Sequence, residues 1–247
     1  MKAPKNRVLS YQTALITGAS RGLGLALMQR LARTGTRVVG VAREPLALDA
    51  AVDALRRTGA EVHAVTADIA DKRAVHRIAG VAAALLGPID LLIHNASTLG
   101  PTPLRLLLDT ECEDLEAVLQ TNLVGPFRLS KLIAGSMALR GRGTILHISS
   151  DAAVSAYPTW GAYSVSKAAQ DHLGRVLAAE LDESGVRVLS VDPGEMDTRM
   201  HAEALPLADR ASLRRPGEVA ESIVRLLENA SEIPNGTRVE VEPWQAA

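Results

Sequence analysis

Only one cysteine, Cys112, stands among the 247 residues, so no disulfide can form within the chain, and a reducing compartment, the cytoplasm, is the expected location. Aromatic side chains are nearly as scarce, with three Tyr, two Trp and one Phe. A core must then be built from Ala, Val, Leu and Ile, which disfavours an aromatic-rich β-sandwich and suits a parallel sheet covered by helices. An excess of either charge is missing too. Lys and Arg number 27 against 28 Asp and Glu, a formal net charge of −1, so no global field draws the chain to nucleic acid or to an anionic membrane; a small molecule is the expected partner. The longest nearly uninterrupted apolar stretch, residues 79–89, is broken by glycine and Pro88 and stops at Asp90, far short of the roughly 20 residues a membrane span needs. The opening MKAPKNRVLSYQ is basic without an apolar h-region, so no secretory signal is expected. Metal ligands are also lacking: His63, His76, His94, His147, His172 and His201 are dispersed without acids at ligand spacing. Cys112 lies between Glu111 and Glu113, whose charges disfavour a thiolate nucleophile.

What is present is 47% apolar and 22% charged residues, enough for a sizeable core and incompatible with disorder. No Pro-, Gly- or Ser-rich run interrupts the chain as a linker would, so residues 1–247 are expected to form one domain. Short β-branched runs alternate with longer amphipathic segments. Strands are expected at 13–17, 37–42, 61–66, 89–94, 144–149, 186–191 and 238–241, about seven in all, and helices start near Gly22, Pro45, Asp71, Glu111, Gly161 and Pro216. Asp71 supplies an N-cap for the third of them. Repeated strand, helix, strand units require right-handed crossovers, so the fold class is α/β: a doubly wound parallel sheet with helices on both faces. Ligands of such sheets sit beyond the C-terminal strand ends, where the strand order reverses.

Directly after the first strand comes Thr17-Gly18-Ala19-Ser20-Arg21-Gly22-Leu23-Gly24. Gly18 permits a tight turn, Gly22 lets backbone approach a diphosphate and Gly24 lets the helix pack close to the sheet, with the helix N-terminus aimed at phosphate. Ser20, Arg21 and Leu23 complete the candidate cradle. A tight strand-to-helix turn alone could also account for the glycines. Nineteen residues past Gly24 stands Arg43, where an acid would bind a ribose 2′-hydroxyl and a base would accept a 2′-phosphate. Two guanidiniums, Arg43 and Arg21, suit a phosphate; as solvated charges they would leave Glu44 to serve a ribose.

Thirteen residues past Ser150, which ends the Ile145-Leu146-His147-Ile148-Ser149-Ser150 strand, stands Tyr163, and four further on Lys167. Positions i and i+4 share a helix face, so the ammonium lies beside the phenol. An adjacent cation favours phenolate and brings a group with an ordinary pKa near 10 toward the range useful for proton transfer. Half of all the aromatics, Tyr157, Trp160 and Tyr163, fall within seven residues. Tyr157 and Trp160 are read as an apolar wall for a flat or hydrophobic substrate, or as packing of that loop on the core.

The glycine spacing resembles the TGxxxGxG signature of the classical short-chain dehydrogenase/reductase family, and further motifs extend the resemblance from residue 17 to 198. The resemblance implies a Rossmann-like fold and NADP(H) as cofactor, with Asp68 at the adenine amino group. It places Asn95 and Ala96 of His94-Asn95-Ala96-Ser97 at the cofactor, although His94 and Ser97 depart from the family's Asn-Asn-Ala-Gly. Tyr163 is implied as general acid in carbonyl reduction and base in alcohol oxidation, and Ser150 as the hydroxyl that polarises the substrate oxygen. Lys167 also holds the nicotinamide ribose, and Asn122 links Lys167 through water to solvent. Pro193, Gly194 and Thr198 shape the nicotinamide end, residues 199–215 form a substrate lid, and helices over 111–140 and 161–184 pair subunits into a homodimer or homotetramer, with the tail to Trp244 as a second contact. The implied reaction passes hydride between nicotinamide and a carbonyl or alcohol substrate. Arg199, His201, Arg210, Arg214 and Arg215 fit either a highly acidic ligand or a solvated helix face. The extended-branch epimerases carry a longer C-terminal part and another glycine spacing. A non-catalytic NADP(H)-binding sensor or scaffold is the competing class, and it has no need of a proton relay.

Overall fold

The computed structural model describes residues 11–241; Glu242, Pro243 and Trp244 of the expected C-terminal contact lie outside them. Seven strands, β1 (Thr13–Thr17), β2 (Arg37–Ala42), β3 (Val62–Thr66), β4 (Leu91–His94), β5 (Gly143–Ile148), β6 (Val186–Asp192) and β7 (Arg238–Glu240), form one sheet in the order β3-β2-β1-β4-β5-β6-β7. Every pair is parallel. The order reverses between β1 and β4, which opens a crevice at the C-terminal strand ends. Eight α-helices are described: α1 (Gly22–Arg33), α2 (Pro45–Arg56), α3 (Lys72–Leu86), α4 (Cys112–Leu119), α5 (Gly125–Leu139), α6 (Gly161–Glu180), α7 (Arg199–Ala204) and α8 (Pro216–Glu228). None is long and apolar enough to cross a membrane.

The strands read as continuous apolar runs because both faces are buried. Register aligns Ile16, Ile93, Leu146 and Leu189 on one face, where they pack with buried residues of α1, α2 and α8. Their neighbours Leu15, Leu92, Ile145 and Val188 align on the other, under α3, α5 and the end of α6. β1 and β2 match the expected spans, and the other five strands differ from theirs by one or two residues at an end. Asp71 caps α3 as expected, its carboxylate accepting from Arg73 N at 2.8 Å.

The single helix expected from Glu111 through Arg140 is interrupted. Between α4 and α5 lies a π-helical turn at Gln120–Val124, in which Gly125 N donates to Gln120 O. Pro126 explains the consequence for its neighbour: it has no N–H to give the carbonyl four residues back, so Asn122 O is left to another donor. Gly125 must be glycine here, since a Cβ would lie 2.4 Å from Ile69 O.

Candidate active site

A cleft of about 1160 Å³ runs along the strand ends, from Arg21, Arg43 and Asp68 at one extreme to Trp160, Met200 and Leu205 at the other. All the sequence-predicted site residues line it except Gly24 and Asn122, which stand behind its wall. At the first extreme, Gly22 takes φ +55, a left-handed conformation that L side chains rarely adopt. A Cβ on Gly24 would meet Gly18 O at 2.2 Å and Asn95 Nδ2 at 2.4 Å, so the close approach of α1 requires glycine. Asn95 fixes the turn by donating from Nδ2 to Thr17 O at 3.0 Å and to Gly18 O at 3.1 Å. Thr17 Oγ1 returns the clamp by accepting from Asn95 N and Ala96 N, each at 3.1 Å.

A dinucleotide phosphate fits this end. Arg21, the residue before α1, makes no side-chain cap bond, so the first N–H groups of α1 face the cleft uncapped. Arg43 is 60% exposed, with Asp68 at 4.0 Å, and Asp68 also accepts from Ala70 N at 2.9 Å. Thr198 Oγ1 caps α7 by accepting from His201 N at 3.2 Å.

At the middle of the cleft the environment changes from exposed to buried. Tyr163 lies in the first turn of α6 and Lys167 one turn on, its Nζ 5.6 Å from the phenol ring centroid. Lys167 is 2% exposed and donates to Ile148 O at 2.6 Å and to Gln170 Oε1 at 3.3 Å. Burial brings its ammonium down to about 8, against the attraction of Asp171 and Asp192. The expected lowering of the phenol is not what this arrangement gives. Burial pushes Tyr163 up to about 12; the Ser150 and Ser97 hydroxyls favour its phenolate, and the charges of Asp192 and Asp151 oppose it. The Lys167 ammonium donates to Ile148 O and Gln170 Oε1, and burial outweighs the groups that favour the phenolate. Ser150 Oγ donates to Asp151 Oδ1 at 2.9 Å. Ser97 Oγ is buried and makes no hydrogen bond of normal geometry.

Asn122 is fully buried in the π turn. Its Nδ2 donates to Thr98 O and Ser166 Oγ, each at 2.9 Å, and its Oδ1 accepts from Thr98 N at 2.8 Å. The carbonyl that Pro126 leaves free accepts from Gln170 Nε2 at 3.0 Å. Lys167 and Asn122 are therefore connected through the side chain of Gln170. Sequence reasoning missed Gln170, as it missed Asp171, although both sit three and four residues past Lys167 on the same helix face. It also missed Arg238, for which no local signal exists. Arg238 reaches from β7 to Asp192 Oδ2 at 2.5 Å, to Ser150 O at 3.1 Å and to Asp171 Oδ2 at 3.3 Å.

Beneath this centre, His94 and His147 stack with ring centroids 4.9 Å apart. His94 Nε2 pairs with Ser130 Oγ at 2.7 Å. Burial lowers His147 to about 3 and His94 well below its ordinary value, and Lys167 adds to both shifts. Both rings are neutral at pH 7.

At the far extreme, Trp160 meets Tyr163 edge to face at 5.8 Å and packs with Leu104, Met200 and Ala204 against Leu99, Ala152 and Tyr163. Tyr157 differs from the expected apolar wall: it is 44% exposed, and its hydroxyl donates to Asp151 Oδ2 at 2.8 Å. Three of the five bases of the 199–215 segment, Arg199, His201 and Arg210, are met by acids. Arg199 pairs with Glu203 and Arg210 with Asp197, both at 2.6 Å, and His201 lies 3.6 Å from Glu195. That pairing favours a solvated face over an acidic ligand. Among the described residues no group of three or more His, Cys, Asp or Glu is placed to hold a metal ion.

The family model described as short chain dehydrogenase matches residues 12–207. The 3-oxoacyl-[acyl-carrier-protein] reductase of Synechocystis is 36% identical over 216 residues, 86% of this chain and 86% of its own. Among solved structures, an actinorhodin polyketide ketoreductase variant with NADPH aligns with a TM-score of 0.85 and 28% identity, over 93% of this chain and 95% of that one. A 7α-hydroxysteroid dehydrogenase complexed with NADH and 7-oxo glycochenodeoxycholic acid aligns with a TM-score of 0.87 and 28% identity, over 97% and 96% of the two chains.

Proposed function

This chain belongs to the short chain dehydrogenase family, an oxidoreductase family that uses NAD(P)(H), and from that premise we propose that it is an NADP(H)-dependent reductase of a ketone or aldehyde, acting reversibly on the alcohol. What carries this is the placement of Ser150, Tyr163 and Lys167 on one cleft, with the Lys167 ammonium 5.6 Å from the phenol ring centroid. Tyr163, held at about 12, is a proton donor at neutral pH, and it faces a cleft with Ser150 beside it. When bound, the nicotinamide supplies the hydride. Ser150 orients and polarises the carbonyl oxygen, Tyr163 gives it a proton, and Lys167 holds the nicotinamide ribose and provides positive charge beneath the phenol. Asn122 and Gln170 fix Lys167 from behind. The uncapped start of α1 and the Gly18 to Gly24 turn receive the diphosphate, Asp68 the adenine, Asn95 and Ala96 the adenosine ribose side, and Pro193, Gly194 and Thr198 the nicotinamide side.

The phosphate-ready guanidiniums of Arg43 and Arg21, both lining the adenosine end, support NADP(H) over NAD(H). Residues 199–215 act as the lid, with Met200 and Ala204 closing over Trp160. The whole chain serves as one dinucleotide-binding and catalytic unit, in the reducing cytoplasm that its lone Cys112 suits. Exposed Phe127 and Leu132 on α5, with Val165 and Val176 on α6, supply the apolar faces of a homodimer or homotetramer.

The test is turnover of a carbonyl panel with NADPH and NADH in parallel, with and without Tyr163→Phe. Reduction with NADPH that Tyr163→Phe abolishes supports the enzyme. Tight NADPH binding with no turnover on any carbonyl supports the sensor class instead. The reduction rate is expected to fall as pH rises through about 8, where Lys167 gives up its proton, while Tyr163 stays protonated.

A further inference from the structure

Under the cleft lie two carboxylates, Asp171 on α6 and Asp192 at the end of β6, with side-chain exposures of 8% and 7%. A buried carboxylate needs a partner, because desolvation costs several kcal/mol per ion. Here both share one. Arg238 stands 2.5 Å from Asp192 Oδ2 and 3.3 Å from Asp171 Oδ2, and gives its remaining reach to Ser150 O at 3.1 Å and Glu240 Oε1 at 3.1 Å. Asp171 also accepts from Ser149 Oγ at 2.7 Å, and Asp192 Oδ1 from Gly194 N at 3.0 Å. The same guanidinium thus touches the strand end that presents Ser150 and the start of the Pro193-Gly194 turn.

We propose that Arg238 is a positioning residue of the catalytic floor, a single guanidinium that pairs Asp171 and Asp192 together, holds the Ser150 backbone, and sets the charge that Lys167 and Tyr163 face. With Lys167 and Arg238, the latter 18% exposed, the floor holds two positive and two negative groups and is neutral as a set. Without Arg238 it is left with an unpaired negative charge in a low-dielectric setting, which attracts the ammonium and repels the phenolate. The titratable and charged groups facing Lys167 are Tyr163 and Asp171 from α6, Asp192 from β6, Arg238 from β7, and the neutral rings of His94 on β4 and His147 on β5. The charges of Asp171 and Asp192 both act on Lys167, and that of Arg238 acts on Asp192.

The inference takes its catalytic meaning from the proposed reaction, but its test needs neither cofactor nor substrate. The sequence has five lysines, Lys2, Lys5, Lys72, Lys131 and Lys167, so lysine labelled with carbon-13 at Cε gives few signals, and Lys167→Met assigns the one of interest. Arg238→Met is expected to move the Lys167 titration upward by about one pH unit, a tenfold change in the ammonium to amine ratio. Asp192→Asn, with Arg238 intact, is expected to move it downward, and Arg238→Lys to leave it near the native position. Opposite shifts in Arg238→Met and Asp192→Asn sustain the proposal; no shift, or shifts of the same sign in both folded variants, overturn it. Should Arg238→Met not fold, Arg238→Gln, which keeps a polar side chain without the charge, takes its place with the same upward shift expected, and no shift in it overturns the proposal. Failure of carbonyl turnover would bear on the reaction, not on these titrations.

Discussion

The two ends of one cleft handle charge in opposite ways. At the end lined by Arg21 and Arg43 the two guanidiniums stand in water beside a backbone cradle, where solvent and salt screen them. At the end that holds Lys167, Tyr163, Asp171 and Asp192 the side chains are nearly dry, and burial brings Lys167 down to about 8 and pushes Tyr163 up to about 12. The lesson is that residue type does not fix what a charged group does; its access to water does. An exposed arginine can meet a ligand, and a largely buried one, Arg238, is committed to the carboxylates around it.

The comparison breaks most sharply at Tyr163. Tyr163→Phe removes the proton donor while leaving ring and packing in place, so turnover is expected to drop by about 10²- to 10⁴-fold, with NADPH affinity by fluorescence titration unchanged. Next in size is the buried histidine pair. His147 has its folded-state value lowered from 6.5 to about 3, so the unfolded chain binds a proton that the folded chain refuses. The stability this confers is full above pH 6.5 and is lost as pH falls toward 3. At pH 4 the cost is about 3 kcal/mol. Urea unfolding at pH 7 and pH 4 is expected to show that loss in the native protein and a smaller one in His147→Gln.

A smaller effect sharpens the other end. In Gly24→Ala the new Cβ would lie 2.2 Å from Gly18 O, so the cradle must spread, at about 2 to 3 kcal/mol of stability, and dinucleotide affinity is expected to fall without any change in the Lys167 titration. The smallest effect is at Arg43. Arg43→Ala is expected to cut the preference for NADPH over NADH by about tenfold, and the salt dependence of NADPH binding should weaken with it. Arg43→Ala with an unchanged preference would assign the exposed guanidinium no part in recognition.

The same division governs what the sequence makes legible. All seven strands, their parallel order and the glycine turn can be read in advance, because continuous β-branched runs and glycine spacing are local patterns with one physical cause each. Tyr163 and Lys167 are equally legible, being one helical turn apart. The π turn is not, since a 3.6-residue apolar period runs through Glu111–Arg140 with only Gly125 and Pro126 to mark the break. The direction of the Tyr163 shift was also out of reach: the neighbouring cation is visible in the sequence, whereas the burial that outweighs it depends on packing by Leu99, Ala152 and Trp160. Arg238 lies 46 residues from Asp192, and no spacing rule spans that distance.

That separation along the chain has a consequence for how the protein is made. Residues 13–192 carry β1 to β6, the glycine turn, Tyr163 and Lys167, and a ribosome completes them before it reaches Arg238. Until β7 docks beside β6, Asp171 and Asp192 stand without the guanidinium they share. The proton-handling floor therefore reaches its final charge only when the last strand arrives.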